Sequence, residues 1–220
     1  MTGAAESRFI TFEGIEGSGK STQIALAAES LERRGLRVVC TREPGGTALG
    51  RRLRAALLDP REVTLSPVAE LLLYAADRAQ HIAELIVPSL ERGEWVLCDR
   101  FLDATLAYQG YARGLGTEVV LDLHSRPPLD LRPFRTILLD LDPHEGLSRA
   151  RRRNAEGETG VAEGRFENEN LEFHRRVRDG YLALAAAEPG RFRTVDARGE
   201  AGAVADRVEQ ALGDLVADPE

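Results

Sequence analysis

The chain has 220 residues, 43% hydrophobic and 30% charged, a balance typical of one globular domain rather than a disordered or fibrous chain. Its formal net charge of −7 argues against a nucleic-acid partner, because general nucleic-acid binders are usually basic. No apolar run approaches the roughly 20 residues that span a bilayer, and the polar start has no signal-peptide core, so we expect a cytoplasmic protein with no membrane partner.

Short strands alternate with helices along the whole chain. Apolar and β-branched runs predict five strands, at residues 9–12, 37–40, 95–99, 136–141 and 192–195. Helical spacing predicts helices at residues 21–34, 50–58, 67–92, 103–108, 143–153, 169–187 and 201–216. The helix at residues 67–92 is expected to break near Pro88. This alternation predicts βαβ units and a mostly parallel sheet covered on both faces, in a single domain over residues 1–220.

A glycine-rich segment joins the first predicted strand to the first predicted helix. It matches the phosphate-binding pattern GxxxxGK[ST], in which backbone N–H groups and the helix N-terminus surround phosphate oxygens. Lys20 is the only lysine among 29 lysine and arginine residues, so the other 28 are arginines. We expect Lys20 to be catalytic at the β and γ phosphates of ATP. The predicted ATP-binding residues are Gly14, Ile15, Glu16, Gly17, Ser18, Gly19, Lys20, Ser21 and Thr22. The alternative is a glycine-rich turn with an incidental lysine.

Two charged residues stand at the end of the third predicted strand. Asp99 follows four apolar residues, and Arg100 follows it directly. Ligands of open α/β sheets bind at the carboxyl ends of the strands, where P-loop proteins present a carboxylate to a metal ion. We therefore expect Ser21 and Asp99 to hold Mg²⁺ as the cofactor, with ATP as co-substrate. A strand-ending salt bridge is the alternative reading of this pair.

An arginine-rich helix end precedes the least structured stretch of the sequence, residues 154–164. Arg149, Arg152 and Arg153 share one helix face by their i, i+3, i+4 spacing. We expect a lid at approximately residues 150–165 that is mobile over residues 154–164 without ligand and supplies the catalytic cation. Spacing leaves Arg149, Arg151, Arg152, Arg153 and Arg165 open, and we favour Arg149 and Arg153. Glu16 favours this hypothesis, because a carboxylate in the phosphate loop cannot itself stabilise phosphate charge. A solvated basic helix end is the alternative.

The cysteines and histidines form no predicted site. Cys40 and Cys98 end apolar runs, so we expect both to be buried, reduced thiols. The histidines are spaced too irregularly for a zinc site, and we expect surface or helix positions for His81, His124, His144 and His174.

Five segments resemble the thymidylate kinase family, in the family's order. They lie at residues 12–22, 41–47, 74–81, 99–110 and 165–167, and the resemblance runs from residue 9 to about residue 195. It implies a P-loop NTP hydrolase-like three-layer α/β fold, with a five-stranded parallel sheet, helices on both faces and a short lid. It also implies transfer of the γ-phosphoryl group of ATP to dTMP with Mg²⁺, usually by a homodimer. Glu16 together with lid arginines matches the family's bacterial version.

The resemblance further implies a second nucleotide site, for dTMP. Its residues here are Glu43, Pro44, Arg54, Tyr74, Arg78, Arg100, Thr105, Tyr108 and Gln109. Arg54 and Arg100, the latter also catalytic, would hold the dTMP phosphate. Glu43 and Pro44 would line the acceptor side, with Glu43 near the metal shell.

The base side of this implied site is carried by two helices. Tyr74, where the family more often has phenylalanine, would stack on thymine, and Arg78 would donate to a thymine carbonyl. Thr105 and Gln109 would hydrogen-bond the base edge, and Tyr108 would lie beside the deoxyribose. Plain core packing is the alternative for the two tyrosines.

Two other functions are compatible with a phosphate loop. The first is a kinase for another pyrimidine nucleoside monophosphate, because a hydrophobic pocket discriminates one methyl group by only about 1–3 kcal/mol. Cytosine is easier to reject, since its exocyclic amine would face Arg78, donor against donor. The second is a nucleotide-binding switch without transfer activity, against which the second phosphate site at Arg54 and Arg100 argues.

Overall fold

The computed structural model describes residues 8–59, 65–155, 164–213 and 215, without the side chains of residues 154 and 155. Half of the predicted lid, residues 156–163, therefore lies outside the described residues.

Five strands form one parallel sheet in the order β2-β3-β1-β4-β5. The strands are β1 Phe9–Glu13, β2 Val38–Arg42, β3 Trp95–Asp99, β4 Arg135–Asp140 and β5 Phe192–Asp196. Every residue of the central strand β1 is buried, as expected for a strand covered on both faces. The predicted five-stranded parallel sheet is confirmed, and each strand lies within two residues of its predicted bounds.

Helices connect the strands and surround the sheet. They are α1 Lys20–Arg33, α2 Ala48–Leu58, α3 Pro67–His81, α4 Val87–Glu91, α5 Leu102–Thr105, α6 Thr117–Leu123, α7 Pro143–Ala155, α8 Leu171–Ala187 and α9 Ala201–Leu212. Two π-helical stretches, Ile82–Ile86 and Leu106–Ala112, continue α3 and α5. The short helix α6 was not predicted.

The predicted break near Pro88 is wrong. The chain stays helical through Pro88, and the irregularity lies one turn earlier, in the π-helical stretch Ile82–Ile86. Pro88 falls in the first turn of α4, where a missing amide N–H costs little. The proline therefore follows the change in hydrogen bonding and does not end the helix.

The strand register brings three loops to one edge of the sheet. Phe12, one residue before the end of β1, and Arg42 at the end of β2 both lie opposite Asp99 at the end of β3. Two backbone hydrogen bonds extend this register, from Glu43 N to Asp99 O (2.9 Å) and from Arg100 N to Phe12 O (3.0 Å). The glycine-rich loop, the Asp99-Arg100 pair and the segment that begins at Glu43 are therefore neighbours.

Helix α3 carries a polar stripe toward the same edge. Ser66 caps its N-terminus, accepting a hydrogen bond from Ala69 N at 3.3 Å, and Pro67 occupies its first turn. Glu70, Tyr74 and Arg78 recur every four residues, so they share one face of the helix.

The two cysteines differ in environment. Cys98 is buried in β3, as expected, but Cys40 is exposed, so the prediction that both are buried is wrong. The reason is topological, because β2 is an edge strand of the sheet. Among the described residues, no helix is long and apolar enough to cross a bilayer.

Candidate active site

A cleft of about 560 Å³ opens at the carboxyl ends of β1, β2 and β3. The predicted site residues that line it are Glu16, Gly17, Gly19, Lys20, Ser21, Thr22, Glu43, Pro44, Arg54, Tyr74, Arg78, Asp99, Arg100, Thr105, Tyr108, Gln109 and Arg153. Gly14, Ile15 and Ser18 belong to the same loop but not to the lining, and Arg149 is also outside it. The cleft thus combines most of the predicted phosphate loop with all nine residues of the predicted acceptor side.

The glycine-rich loop needs its glycines. Gly14, Gly17 and Gly19 have φ angles of 139°, 72° and 91°, which favour a residue without a Cβ atom. At Gly17 a Cβ atom would also lie 2.0 Å from the carbonyl oxygen of Gly146, so the loop packs directly on helix α7.

The side chain of Lys20 folds back into this loop and hydrogen-bonds its backbone. Its Nζ donates to the carbonyl oxygens of Gly14 (3.0 Å) and Ile15 (2.9 Å), and its side chain is buried. Burial, followed by the nearby Arg100 guanidinium, lowers the pKa of Lys20 to about 8, although Asp99 and Glu16 act in the opposite direction. The ammonium is therefore poorly solvated, and a phosphate would supply the charge partner that water does not.

Ser21 and Asp99 form a pair of oxygen ligands beside Lys20. Ser21 Oγ donates to Asp99 Oδ2 at 3.2 Å, whereas the buried Asp99 Oδ1 has no hydrogen-bond partner in the described part of the chain. Hard oxygen ligands of this kind suit Mg²⁺, which usually binds through one or two carboxylates plus substrate phosphates. The described residues contain no cluster of three or more His, Cys, Asp or Glu that would form a metal site by itself. Ser21 and Asp99 therefore fit Mg²⁺ that arrives with ATP.

Arg100 has an unusual backbone, with a φ of 68° in the left-handed region that non-glycine residues rarely adopt. Neighbouring groups hold it there. Its N–H donates to Phe12 O, Cys98 Sγ donates to its carbonyl oxygen at 3.0 Å, and the next amide, Phe101 N, donates to Glu13 Oε1 at 2.7 Å. Two central strands thus fix the direction in which Arg100 enters the cleft.

Glu16 anchors the head group of Arg100. Its Oε1 accepts from Arg100 Nη2 (2.9 Å) and from the hydroxyl of Tyr108 (2.6 Å), and its Oε2 lies 3.2 Å from His174 Nδ1. Burial raises the pKa of Glu16, but Arg100 and His174 outweigh burial and hold that pKa well below its usual range. The Arg100 guanidinium also lies over the Tyr108 ring, 4.8 Å from its centroid.

A buried carboxyl group lies behind Arg100. Burial, followed by the charge of Asp103, raises the pKa of Glu13 to about 8. The hydroxyl of Tyr181 donates to Glu13 Oε2 at 2.7 Å and lies 3.4 Å from Arg100 Nη1. Sequence reasoning missed both residues, although an acidic residue that ends a fully buried strand is a usable signal.

Arg78 is fixed on three sides. Its Nε donates to Glu43 Oε2 (2.8 Å), its Nη2 donates to Thr105 Oγ1 (2.9 Å), and its Nη1 lies 2.8 Å from His124 Nε2. Burial, followed by Arg78, lowers the pKa of His124 to about 4, so the ring is neutral. Since His124 Nδ1 contacts Val120 O at 2.7 Å, its Nε2 accepts from Arg78.

Three histidines proved to be buried partners of site residues. His81 and His174 lie in helices as predicted, but His81, His124 and His174 are all fully buried, and only His144 is exposed. His81 Nδ1 lies 2.9 Å from Glu43 Oε1, on the opposite side of that carboxylate from Arg78. Glu43 is therefore occupied by Arg78 and His81.

The basic helix end contributes one of the two predicted catalytic arginines to the cleft wall. Arg153 lines the cleft with its Nη2 3.4 Å from Glu167 Oε1, and its buried Nε has no hydrogen-bond partner within the described ranges. Arg149 instead contacts Glu145 Oε1 (2.5 Å) and Ala197 O (3.3 Å). Arg42 and Glu167 also line the cleft and were not predicted.

Comparison with known proteins gives consistent results. A family model described as thymidylate kinase matches residues 12–208. The chain is 54% identical to the thymidylate kinase of Solidesulfovibrio magneticus, over 94% of this chain and 100% of that protein. It is 58% identical to that of Pelobacter propionicus, over 87% of each. The crystal structure of thymidylate kinase from Ehrlichia chaffeensis is similar in fold, with a TM-score of 0.74, 35% identity, and coverage of 93% of this chain and 97% of that one.

Proposed function

The chain belongs to the thymidylate kinase family, and from this membership we propose how its cleft transfers the γ-phosphoryl group of ATP to dTMP. The observation that carries the proposal is that one cleft is lined by two basic arrangements, the loop around Lys20 and the arginines Arg54 and Arg100, each of which we assign to a phosphate. A nucleotide-binding switch has no use for the second arrangement.

The reaction needs alignment and charge neutralisation more than proton transfer. The attacking group is an oxygen of the dTMP phosphate, which is already anionic near neutral pH, so no general base is required. The loop amides and Lys20 hold the donor phosphates, and Arg54 and Arg100 hold the acceptor phosphate. Support comes from the fixed backbone of Arg100 and from its anchoring by Glu16, which limit the directions from which the acceptor can approach.

The base is recognised on the α3 side of the cleft. Tyr74 lines this wall and stacks on thymine, while Arg78 donates to a ring carbonyl. Thr105 and Gln109 complete the base edge, and Tyr108, held by Glu16, lies beside the sugar. Glu43 and Pro44 shape the acceptor wall, where Pro44 O accepts from Arg54 Nη1 at 2.7 Å.

Mg²⁺ is the proposed cofactor, held by Ser21 and Asp99. When bound, the ion neutralises charge on the β and γ phosphates of ATP. The support is that Asp99 Oδ1 has no hydrogen-bond partner among the described residues, while Asp99 Oδ2 accepts from the Ser21 hydroxyl. A Mg²⁺ titration at fixed ATP tests this assignment, and full activity in excess chelator would exclude it.

We place the lid at approximately residues 150–165 of a single domain that spans residues 1–220. The remaining cations that neutralise the transferring phosphoryl group come from the part of this lid that belongs to helix α7. Arg153 is the better supported because it lines the cleft, and Arg149 remains a prediction. Separate alanine variants distinguish them, since the catalytic arginine lowers turnover more than it weakens ATP binding.

A nucleotide panel tests the proposed function directly. We expect ATP-dependent ADP release with dTMP, weaker release with dUMP, and far less with dCMP, because the dCMP amine faces Arg78 donor against donor. The two nucleotides dTMP and dUMP differ by one methyl group, which contributes only about 1–3 kcal/mol to the free energy of discrimination. ADP release that does not depend on dTMP, or equal rates on dTMP and dCMP, would contradict the proposal.

The proposed assembly is a homodimer. Val68 and Leu72 lie one turn apart on α3 and are 54% and 53% exposed, with the exposed Leu49 on the adjoining helix α2. Such a stripe is typical of an interface between protein chains.

We expect light scattering to give twice the 24.1 kDa chain mass for the native protein, and the monomer mass for the Leu72→Glu variant. Phe134→Glu changes another exposed apolar residue, 43% exposed and just before β4, and is the control that should stay dimeric. A native chain of monomer mass would end this proposal.

The proposed location is the cytoplasm, where ATP and dTMP are found. The two free thiols, Cys40 and Cys98, fit a reducing compartment. Cell fractionation tests the location, and recovery outside the cytoplasm would contradict it.

A further inference from the structure

Glu70 is a buried carboxylate in the first turn of α3, with only 1% of the residue exposed. It joins three parts of the chain. Gln109 Nε2 donates to its Oε1 at 2.7 Å, Arg113 Nε lies 3.4 Å from the same oxygen, and Arg165 Nη2 donates to its Oε2 at 2.5 Å. None of the roles proposed above involves Glu70.

This carboxylate fixes which way the Gln109 amide faces. A carboxylate paired with two guanidinium groups only accepts hydrogen bonds, so the amide nitrogen must face Glu70 and the amide oxygen must turn away from it. The Gln109 oxygen has no hydrogen-bond partner among the described residues, although its side chain lines the cleft. An acceptor is therefore available to a ligand at this point.

A donor is held on the same wall of the cleft. Within the ranges that the structure describes, Arg78 uses three of its five N–H groups on Glu43, His124 and Thr105, so two remain available there. An available donor at Arg78 and an available acceptor at Gln109 match a base edge that offers a carbonyl oxygen next to an N–H. Thymine and uracil have this edge at C4 and N3. Cytosine has the reverse, an amine next to an unprotonated nitrogen.

We propose that Glu70 is a positioning residue that sets the base specificity of the cleft by fixing the orientation of the Gln109 amide. The inference rests on the proposed function, because it requires Gln109 to face the base. Glu70 touches no substrate in this scheme and acts only through Gln109.

The contacts around Glu70 distinguish this role from simple ion pairing. Arg113 has a second carboxylate partner, Glu169 Oε1 at 2.6 Å, and Arg165 also donates to Leu57 O at 2.9 Å. The Gln109 nitrogen has Glu70 as its single partner within the described part of the chain. Loss of the carboxylate would leave both arginines with a partner but would free the amide to rotate.

The test compares the ratio of kcat/KM for dTMP to kcat/KM for dCMP. In Glu70→Gln the new side chain can donate to the Gln109 oxygen as well as accept from its nitrogen, so the amide loses its fixed direction. We expect the ratio to fall at least about tenfold, the effect of one hydrogen bond, with the KM for ATP unchanged. Arg113→Met is the matched control, because it removes a guanidinium from the same carboxylate and keeps the Glu70–Gln109 bond. Its ratio should stay at the native value.

A second variant keeps the inference falsifiable if Glu70→Gln does not fold. Gln109→Leu removes the acceptor without touching the ion pairs of Glu70, and its ratio must also fall. In the Gln109→Leu background, Glu70→Gln should cause no further fall. A native ratio in folded Glu70→Gln or in Gln109→Leu overturns the inference. A native chain that does not prefer dTMP to dCMP overturns the proposed function instead, so the two failures are distinguishable.

Discussion

Replacement of Lys20 with alanine is expected to lower the turnover number with dTMP by roughly 10²–10³-fold, the size of effect seen when one preorganised charge-stabilising group is removed. The chain has no other lysine, and the arginines that line the cleft cannot substitute, because a planar guanidinium does not fit a loop whose two carbonyl oxygens lie within 3.0 Å of Nζ. The measurement is ADP release at saturating ATP and dTMP.

Two controls separate chemistry from folding. Lys20→Arg keeps the charge with the wrong shape, and we expect it to be nearly as inactive as Lys20→Ala. The pKa of Lys20 is lowered from 10.5 to about 8 in the folded chain, so between these pH values the unfolded chain binds more protons. The native protein should therefore gain stability relative to Lys20→Ala as pH rises from about 8 to 10.5. Unchanged turnover in a folded alanine variant would contradict the assignment of Lys20.

The sheet could be predicted because its signals are local. Each strand is a short apolar run between turn-forming residues, and no distant residue is needed to recognise it. Irregular helices could not be predicted in this way. The π-helical stretch Ile82–Ile86 changes its hydrogen bonding without a break in the helical sequence pattern. Helix α6 has only seven residues, too few for a clear helical period. The break near Pro88 was wrongly predicted because a proline indicates a helix boundary nearby but does not show on which side of it the irregularity lies.

The phosphate loop could be predicted for a related reason, since eight consecutive residues carry its chemistry and the fold adds only the strand before and the helix after. The residues that orient the site are different. Glu70 lies 39 positions from Gln109, and His124 lies 46 positions from Arg78. Their roles depend on tertiary contacts, and neither has a recognisable sequence pattern.

The histidines show what a sequence test leaves out. Irregular spacing of histidines argues against a zinc site, but it carries no information about a neutral imidazole ring that accepts a hydrogen bond from an arginine. His124 does this between α6 and α3, and His81 braces Glu43 from within α3. A polar residue at a buried helix position was the available signal.

Arg100→Ala is expected to lower kcat/KM for dTMP by at least roughly 30-fold, because truncation of one partner in a buried charged hydrogen bond typically costs about 2–5 kcal/mol. The KM for ATP should change far less, since Arg100 stands on the acceptor side of Lys20. The backbone strain at φ 68° is not altered, because alanine carries the same Cβ atom as arginine. Steady-state kinetics with each substrate varied in turn measures both effects.

Glu16→Gln is the control that separates phosphate binding from ion pairing. Arg100→Ala breaks the 2.9 Å contact to Glu16 and removes the cation. Glu16→Gln breaks the same ion pair but keeps the cation, and it retains an acceptor for the Tyr108 hydroxyl. If Arg100 binds the dTMP phosphate, the arginine variant must lose more dTMP efficiency than the glutamine variant. Equal losses would mean that Arg100 serves only to neutralise Glu16. Equal weakening of dTMP and ATP in Arg100→Ala would also contradict the assignment, because a residue specific to the acceptor cannot affect both nucleotides alike.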